Sequence, residues 1–446
     1  MIELLLIVFF CMLGVITGIA TGLLPGLHVN NIAIILLSLS GIIVSSFSFL
    51  GSYGVSQYFI FLLISVYIIS TSIAHTFLDC IPSTFLGAPD PDTALQVLPA
   101  HSLLVKGKGY EAVALSALGS YGAILFCFIL IFPIRFIIGE PFLFYQNIKE
   151  IMFFVLLAIS FLMIGTEKAK IDILRKGGIS PSIFGMLFAI FVFLLSGLFG
   201  LVIFEVPVNS PIGLSSPVLF PALAGLFGTP TLLESLMTKP VIPKQEVKNP
   251  SLDGKMKKSS CLSIMTGSFG GILVSIIPGI TSATGTILAM NARGESDKRQ
   301  TIVTLSAVNT ACAFFVVVVM FVILRSRSGA TMAVFELISV SEWVDLLLPQ
   351  YLAYLLIALL LGGTLSYFIT LKVGKIFANS FVKVPYSLVV KITIGLIIFL
   401  VFLFTGFVGL LVLFVATCIG FLPVEWGVRR SHCMGILLIP ILLYFA

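Results

Sequence analysis

Residues 14–31, GVITGIATGLLPGLHVNN, lie inside a run from Leu4 to Leu78 that contains no Asp, Glu, Lys or Arg. A bilayer-spanning helix needs about 20 mostly apolar residues, so this run holds more than one span. In the bilayer core every backbone amide and carbonyl must be paired within a helix or a closed barrel. The apolar positions here are continuous rather than alternating, which selects helices. Gly14, Gly18 and Gly22 recur every four residues and form one stripe of small side chains, where a second backbone can approach closely. Pro25 then removes an amide donor, and Gly26 permits backbone angles that other residues avoid. The pair breaks the helix at membrane depth, and the polar His28, Asn30 and Asn31 follow at once.

The same element recurs at residues 267–284, GSFGGILVSIIPGITSAT, at a constant offset of 253 residues. Gly267, Gly271, Ser275, Pro278 and Gly279 coincide with Gly14, Gly18, Gly22, Pro25 and Gly26, and Thr281, Ser282 and Thr284 supply the polar residues that follow. Backbone freed by such a break is tolerated only within protein or facing a water-filled cavity. The half-helix that follows directs its unpaired amides and positive dipole end at the same spot, the arrangement that binds anions in secondary transporters. The expected substrate site is therefore Gly26, His28, Asn30, Asn31, Gly279, Thr281, Ser282 and Thr284. Five apolar segments (58–78, 111–132, 151–166, 181–204 and 211–232) separate the two copies. An odd number places them in opposite orientations, so the expected fold is all-α and polytopic, with two inverted-topology repeats carrying broken or re-entrant helices.

Apolar segments continue to Ala446, giving about 10–14 helical segments. Of 446 residues, 59% are apolar and 10% charged, against about 25% charged in soluble domains. The first segment, 2–24, reads as a retained helix, since Glu3 stands where a signal peptide carries Lys or Arg. The hydrophilic stretch 239–258, with six Lys and three Pro, reads as a flexible cytoplasmic loop between an N-terminal half, 1–238, and a C-terminal half, 259–446. The net charge of +6 resides in short loops between apolar runs, as the positive-inside rule requires, and implies no nucleic-acid partner. The seven Cys show no CxxC spacing. There is no HExxH, P-loop or GxSxG motif and no metal-spaced Cys/His cluster, so neither an enzyme nor a resident cofactor is expected.

Two further groups carry charge toward the membrane interior. The segment Asp79–Glu111 contains four Pro, Asp90, Asp92 and His101, and reads as a second re-entrant element. Carboxylates at membrane depth are costly and mark function, so Asp79, Asp90 and Asp92 are candidates for binding a coupling Na⁺ or H⁺. Arg325 and Arg327 follow the span 301–324. Arg325 suits a carboxylate or phosphate through its fork of donors, and the same two residues also fit an ordinary loop. Asn309 and Thr310 are polar positions within that span. His28 and His75 are the titratable side chains between Glu3 and Asp79, and either could relay protons.

The segments GLLPGLHVNN, GGILVSIIPGITSATG and STFLGAPDPDTALQVLPAHSLLVKGKGYEAVALSALGS resemble the large membrane subunit, or permease, of tripartite tricarboxylate transporters. The tail GFLPVEWGVRRSHCMGILLIP is similar to an archaeal branch of that family. The resemblance implies carboxylate transport across the cell membrane driven by an ion gradient, with Gly26, Gly279 and their polar neighbours at the binding region. In its usual bacterial form the family works with a small membrane subunit and an extracytoplasmic binding protein. GAPDPDTAL replaces the more usual Asn-Ile-Pro-Gly type of turn, and His28 and His101 are added. The reading is a secondary transporter of a small organic anion, a di- or tricarboxylate, working by alternating access among membrane lipids; the sequence also allows a homodimer. The alternatives are a flippase for a phosphate-bearing lipid carrier, favoured by Arg325 and Arg327 at a lateral opening, and a membrane-embedded enzyme.

Overall fold

The computed structural model describes residues 2–24, 29–86, 95–165, 167, 181–208, 210–211, 218–238, 243–250, 253–277, 280, 282–293, 297–381 and 386–446. Among them all regular structure is helical. Eight helices are long and apolar enough to cross a membrane, or nine if the pair Phe144–Glu150 and Met152–Gly165, bent by 79°, counts as one span.

The first repeat begins with α1 (Ile2–Leu23), α2 (Val29–Ser46) and α3 (Gln57–Leu78); the short α4 (Cys80–Phe85) and α5 (Val97–Leu104) lead into α6 (Gly109–Ile138). Then follow α7 (Phe144–Glu150), α8 (Met152–Gly165), α9 (Pro181–Phe204), α10 (Leu219–Leu223), a single π turn (Ala224–Gly228) and α11 (Thr229–Thr238). The C-terminal part has α12 (Gly254–Ile276), α13 (Ser282–Arg293), α14 (Lys298–Ile323), α15 (Gly329–Leu337), α16 (Gln350–Phe381), α17 (Tyr386–Glu425) and α18 (Gly435–Phe445). The helix α17 is broken at Gly406, whose φ of 65° only glycine adopts without strain. Of residues 331–348, only those up to Leu337 are helical; Ile338 turns extended (φ −121°) and a polar stretch leads to α16.

The two glycine stripes pack in one register. A methyl group on Gly14 would lie 2.8 Å from Ser70 Cβ, and one on Gly267 would lie 2.8 Å from Ala307 Cβ. On Gly18 it would meet Ala74 Cβ at 2.5 Å and Thr71 O at 2.7 Å; on Gly271 it would meet Ala311 Cβ at 2.7 Å and Val308 O at 2.5 Å. The pairs Ser70/Ala307, Thr71/Val308, Ala74/Ala311 and His75/Cys312 share one constant offset, so the α1–α3 and α12–α14 contacts are the same contact made twice. Between helices in lipid there is no hydrophobic drive, and such close packing of small residues supplies the adhesion. Thr71 adds a hydrogen bond from its hydroxyl to Gly14 O at 3.1 Å.

Contact order along each pair also gives helix direction. The Gly14–Ser70 and Gly18–Ala74 contacts run α1 with α3, and Gly267–Ala307 and Gly271–Ala311 run α12 with α14. Phe59 meets Tyr354 and Ile73 meets Gly362, so α16 runs with α3. Val303 meets Gly119 and Val322 meets Gly139, so α6 runs with α14. In the α6–α16 pair Ile124 meets Gly363 while Val113 meets Gly374, so those two helices run oppositely.

A second repeat carries no Pro-Gly punctuation. Gly225, in the π turn, packs on Leu413, Ala416 and Thr417 of α17, while Gly435, at the start of α18, packs on Phe193 and Ser196 of α9. Gly420 meets Leu226 O at 2.5 Å, and Gly200 packs against Ile436 O. These helices form a core of their own, around Leu156, Val192, Leu226, Ala416 and Ile436, which meets the hairpin bundle through Val274, Ile277, Ile280 and Ile287.

Several polar ties join the copies away from the hairpins, among them Ser116 with Ser306 and Arg299 with Glu111. The buried Glu167 accepts from Arg429 Nε at 2.8 Å and pairs with His432 Nε2 at 2.6 Å. Arg429 is 41% exposed, so the expected cost of removing the buried acceptor is that of an unmade buried hydrogen bond, about 1–3 kcal/mol. Glu167→Gln should therefore lower the melting temperature in detergent; an unchanged melt would show that the cluster adds no stability. Of the linker, residues 243–250 carry no regular secondary structure and are bonded to the α5–α6 turn, where Gln245 donates to Leu104 O at 3.1 Å and accepts from Gly109 N at 2.8 Å. The next helix starts at Gly254, capped by Asp253, so its first turns carry Lys255, Lys257 and Lys258.

Candidate functional site

The helix α3 does not end cleanly in solvent. Pro82 lacks the amide that would bond to Leu78 O, and the path runs on through Asp79 (φ −59°, ψ −22°) into α4 with that bond missing. The Asp79 carboxylate is 3% exposed, inside the protein and level with the hairpin tip, since Gly22 packs on Leu78 beside it. Its Oδ2 accepts from Asn309 Nδ2 at 3.1 Å. A carboxylate oxygen can only accept from an amide here if the nitrogen faces it, so Asn309 Oδ1 points the other way, where Ser282 Oγ donates to it at 3.5 Å. Ser282 opens α13, directly after the second break. One hydrogen-bonded relay thus connects the second hairpin, α14 and α3.

These groups line a cavity of about 90 Å³, together with Asn30, His75 and Ser328. Its walls are repeat-related. Ser72, His75, Thr76 and Asp79 of α3 stand opposite Asn309, Cys312, Ala313 and Val316 of α14, which are their counterparts in the packing register. Val29 of α2 has Ser282 of α13 as its counterpart at the offset of 253. The cavity therefore lies between the two copies; both supply neutral polar side chains, and His75 and Asp79 come from the first. Thr21 donates its hydroxyl to Gly18 O at 3.2 Å, so it accepts from His75 Nδ1 at 3.1 Å.

The loop between α14 and α15 closes the site. Arg327 donates through Nη1 to Ile277 O and through Nη2 to Ile280 O, one carbonyl on each side of the second break. The next residue, Ser328, caps α15 in a reciprocal box with Thr331. In the first turn of α15 the amide of Ala330 donates to Asn30 Oδ1 at 3.2 Å.

Of the expected residues, Asn30, Ser282 and Asp79 meet in this cavity. Thr284 is buried on α13 and does not line it. Arg325 stands elsewhere, bonded to Tyr145 in a cavity of about 490 Å³ at the ends of α6 and α14. Gly26, His28, Gly279, Thr281, Asp90, Asp92 and the Asn31 side chain lie outside the described residues. Sequence reasoning did not pick out Ser72, Thr76 or Ser328, and named Arg327 only beside Arg325. A helical spacing of Ser72, His75, Thr76 and Asp79, all on one face, was the available signal for the first two. Among the described residues no group of three His, Cys, Asp or Glu could hold a metal ion.

A curated relative from Methanocaldococcus jannaschii, described as uncharacterized protein MJ1079, is 29% identical over 440 residues, covering 98% of both chains. No solved structure matches. The profile of the tripartite tricarboxylate transporter TctA family matches residues 8–435, nearly the whole chain, including both hairpins and every residue of the cavity, and the chain belongs to that family.

Proposed function

We propose that this protein is a secondary transporter of the cell membrane that moves a small organic anion, a di- or tricarboxylate, together with Na⁺ or H⁺, and that it is not an enzyme. The observation that carries the reading is a buried carboxylate at the meeting point of two broken hairpins, between the two copies of a repeat. Intramembrane ionisable residues face pathways or partners because their burial is otherwise too costly. A cavity of about 90 Å³ suits a cation with a water or two, since one water takes about 30 Å³ of the liquid. A carboxylate cargo needs more, because ligand pockets commonly measure roughly 300 Å³ or above. Cargo entry then requires the hairpins to part, which is the motion alternating access demands. The helix directions support an inverted repeat, because α1, α3 and α16 run one way while α6, α12 and α14 run the other. Asp79 is the proposed cation ligand, and Asn30, Ser282 and the α13 amides face the anion. A small membrane subunit and an extracytoplasmic binding protein are the partners the family suggests. The flippase reading loses its main support, because Arg325 and Arg327 do not line one lateral opening.

Proteoliposome uptake of labelled citrate, succinate and malate, with and without Na⁺ and pH gradients, tests the function. Uptake accelerated by one of the two gradients is expected; uptake of none of the three under either gradient would sink the carboxylate reading. For the topology, Ser52→Cys and Lys298→Cys should label from opposite faces of the membrane. Labelling of both from the same face would exclude the inverted arrangement.

A further inference from the structure

We propose that Arg327 is a positioning residue for this transport site, stapling the second helix break and tying it to the first hairpin. The proposal rests on the transport reading above, and three observations carry it.

The break leaves backbone carbonyls at the end of α12 without their helical partners. Ile277 O, just past the end of α12, and Ile280 O, two residues before α13, flank the Pro-Gly pair and are the carbonyls that Arg327 holds. Both isoleucines are nearly fully buried, where a carbonyl cannot turn to bulk water. Carbonyls at a helix C-terminus also concentrate the negative end of its dipole. The guanidinium offsets that pole and uses two donors of one planar fork to fix two carbonyls at a set separation. Lysine carries the same charge on a single point and cannot reproduce the bridge.

The five residues 326–330 also touch the other hairpin. Arg327 grips the second break, Ser328 lines the cavity, and Ala330 N is bound by Asn30 of α2. A methyl group on Gly329 would lie 2.9 Å from Asn30 Cβ, so the loop and α2 are in direct contact. The two hairpins belong to opposite copies of the repeat, and this loop is a covalent strip that holds both.

The staple sets the geometry of the relay. Ile280 is two residues before Ser282, whose hydroxyl donates to Asn309, which donates to Asp79. Fixing Ile280 O fixes where α13 begins, and hence where Ser282 meets Asn309. Arg327 acts on the cation site through these residues.

The test uses the full chain with the exposed Cys261 and Cys418 replaced by Ser, leaving Cys312 as a thiol lining the cavity. Alkylation of Cys312 by a small maleimide reads the tip geometry without any substrate. Arg327→Met should speed that alkylation at least tenfold, with Arg327→Lys in between, while the melting temperature stays within a few degrees of wild type. In proteoliposomes Arg327→Met should raise the KM for the transported carboxylate about tenfold, with maximal rate changed less than threefold. An unchanged alkylation rate and KM in Arg327→Met would overturn the proposal, as would wild-type behaviour in Arg327→Lys. A large fall in melting temperature in both variants would reassign Arg327 to general stability and overturn it too. Asp79→Asn, measured alongside, separates the two readings. If Asp79→Asn impairs uptake and Arg327→Met does not, the staple is wrong and the site stands. If neither variant has an effect, the site itself is misplaced.

Discussion

Asp79→Asn is expected to reduce gradient-driven uptake by about 100-fold, equivalent to about 2.8 kcal/mol, while the protein inserts and folds. The substitution is nearly isosteric and keeps an oxygen able to accept from Asn309 Nδ2 at the present 3.1 Å. It deletes the only carboxylate among the described residues lining the cavity. A cation leaving water for the membrane interior needs a compensating charge, because the desolvation penalty is several kcal/mol per ion even after relaxation. An amide cannot supply that charge. The fold should not suffer, because a neutral amide is cheaper to bury than a carboxylate. The measurement is initial uptake rate against an imposed Na⁺ or pH gradient, with surface expression and melting temperature as controls. Uptake within threefold of wild type would remove Asp79 from the coupling step. Asp79→Glu should be intermediate, since it restores the charge but overfills a cavity of about 90 Å³.

What could be read from the chain alone followed what local chemistry punctuates. Charge-free runs gave the helices, and the Pro-Gly pairs located the hairpins. The four-residue spacing of Gly14, Gly18 and Gly22 named the face on which α1 meets α3, as the contacts with Ser70, Ala74 and Leu78 bear out. Asp79 was identified because a charge in an apolar run has no cheap explanation. Its partner was harder to single out. Asn309 is 230 positions away, and an Asn in one helix has no signal that says which helix it faces.

The second repeat was illegible for a different reason. Gly200 and Gly420, and Gly225 and Gly435, play matching parts, but the two pairs have different sequence spacings and no break marks either one. A glycine in an apolar helix is too common in membrane proteins to announce a contact. Arg327 shows the limit from the charge side. Its sequence neighbours gave it the appearance of a loop residue beside Arg325, and only the folded chain brings Ile277 O and Ile280 O to its fork. In the linker, Lys and Pro dominate the composition and hide the contacts made by residues 243–250. The buried Gln245 side chain, bonded to Leu104, Pro243 and Gly109, is what orders it.

Gly271→Val is the second substitution expected to have a large effect, and it should act through packing alone. The first atom of a new side chain would lie 2.5 Å from Val308 O, 2.7 Å from Ala311 Cβ and 2.8 Å from Cys312 N. Two of these are backbone atoms of α14 and cannot rotate away, so the helices must separate. Overpacking typically costs about 1–3 kcal/mol and more where backbone must move, and the loss falls on the close approach that holds α12 to α14. The same turn of α14 carries Asn309 and Cys312 into the cavity, so displacement there also pulls Asn309 from Asp79. The expected outcome is a melting temperature lowered by several degrees or an aggregated product, with no uptake from any surviving protein. Gly18→Val should behave alike, because Gly18 meets Thr71 O and Ala74 Cβ at 2.7 and 2.5 Å in the same register. Gly395→Ala is the control: nothing lies within 4 Å of a methyl group there, and alanine is the better helix former by about 1 kcal/mol. If Gly271→Val and Gly395→Ala melted together, the close contact between α12 and α14 would contribute no stability, and the glycine stripe would need another explanation.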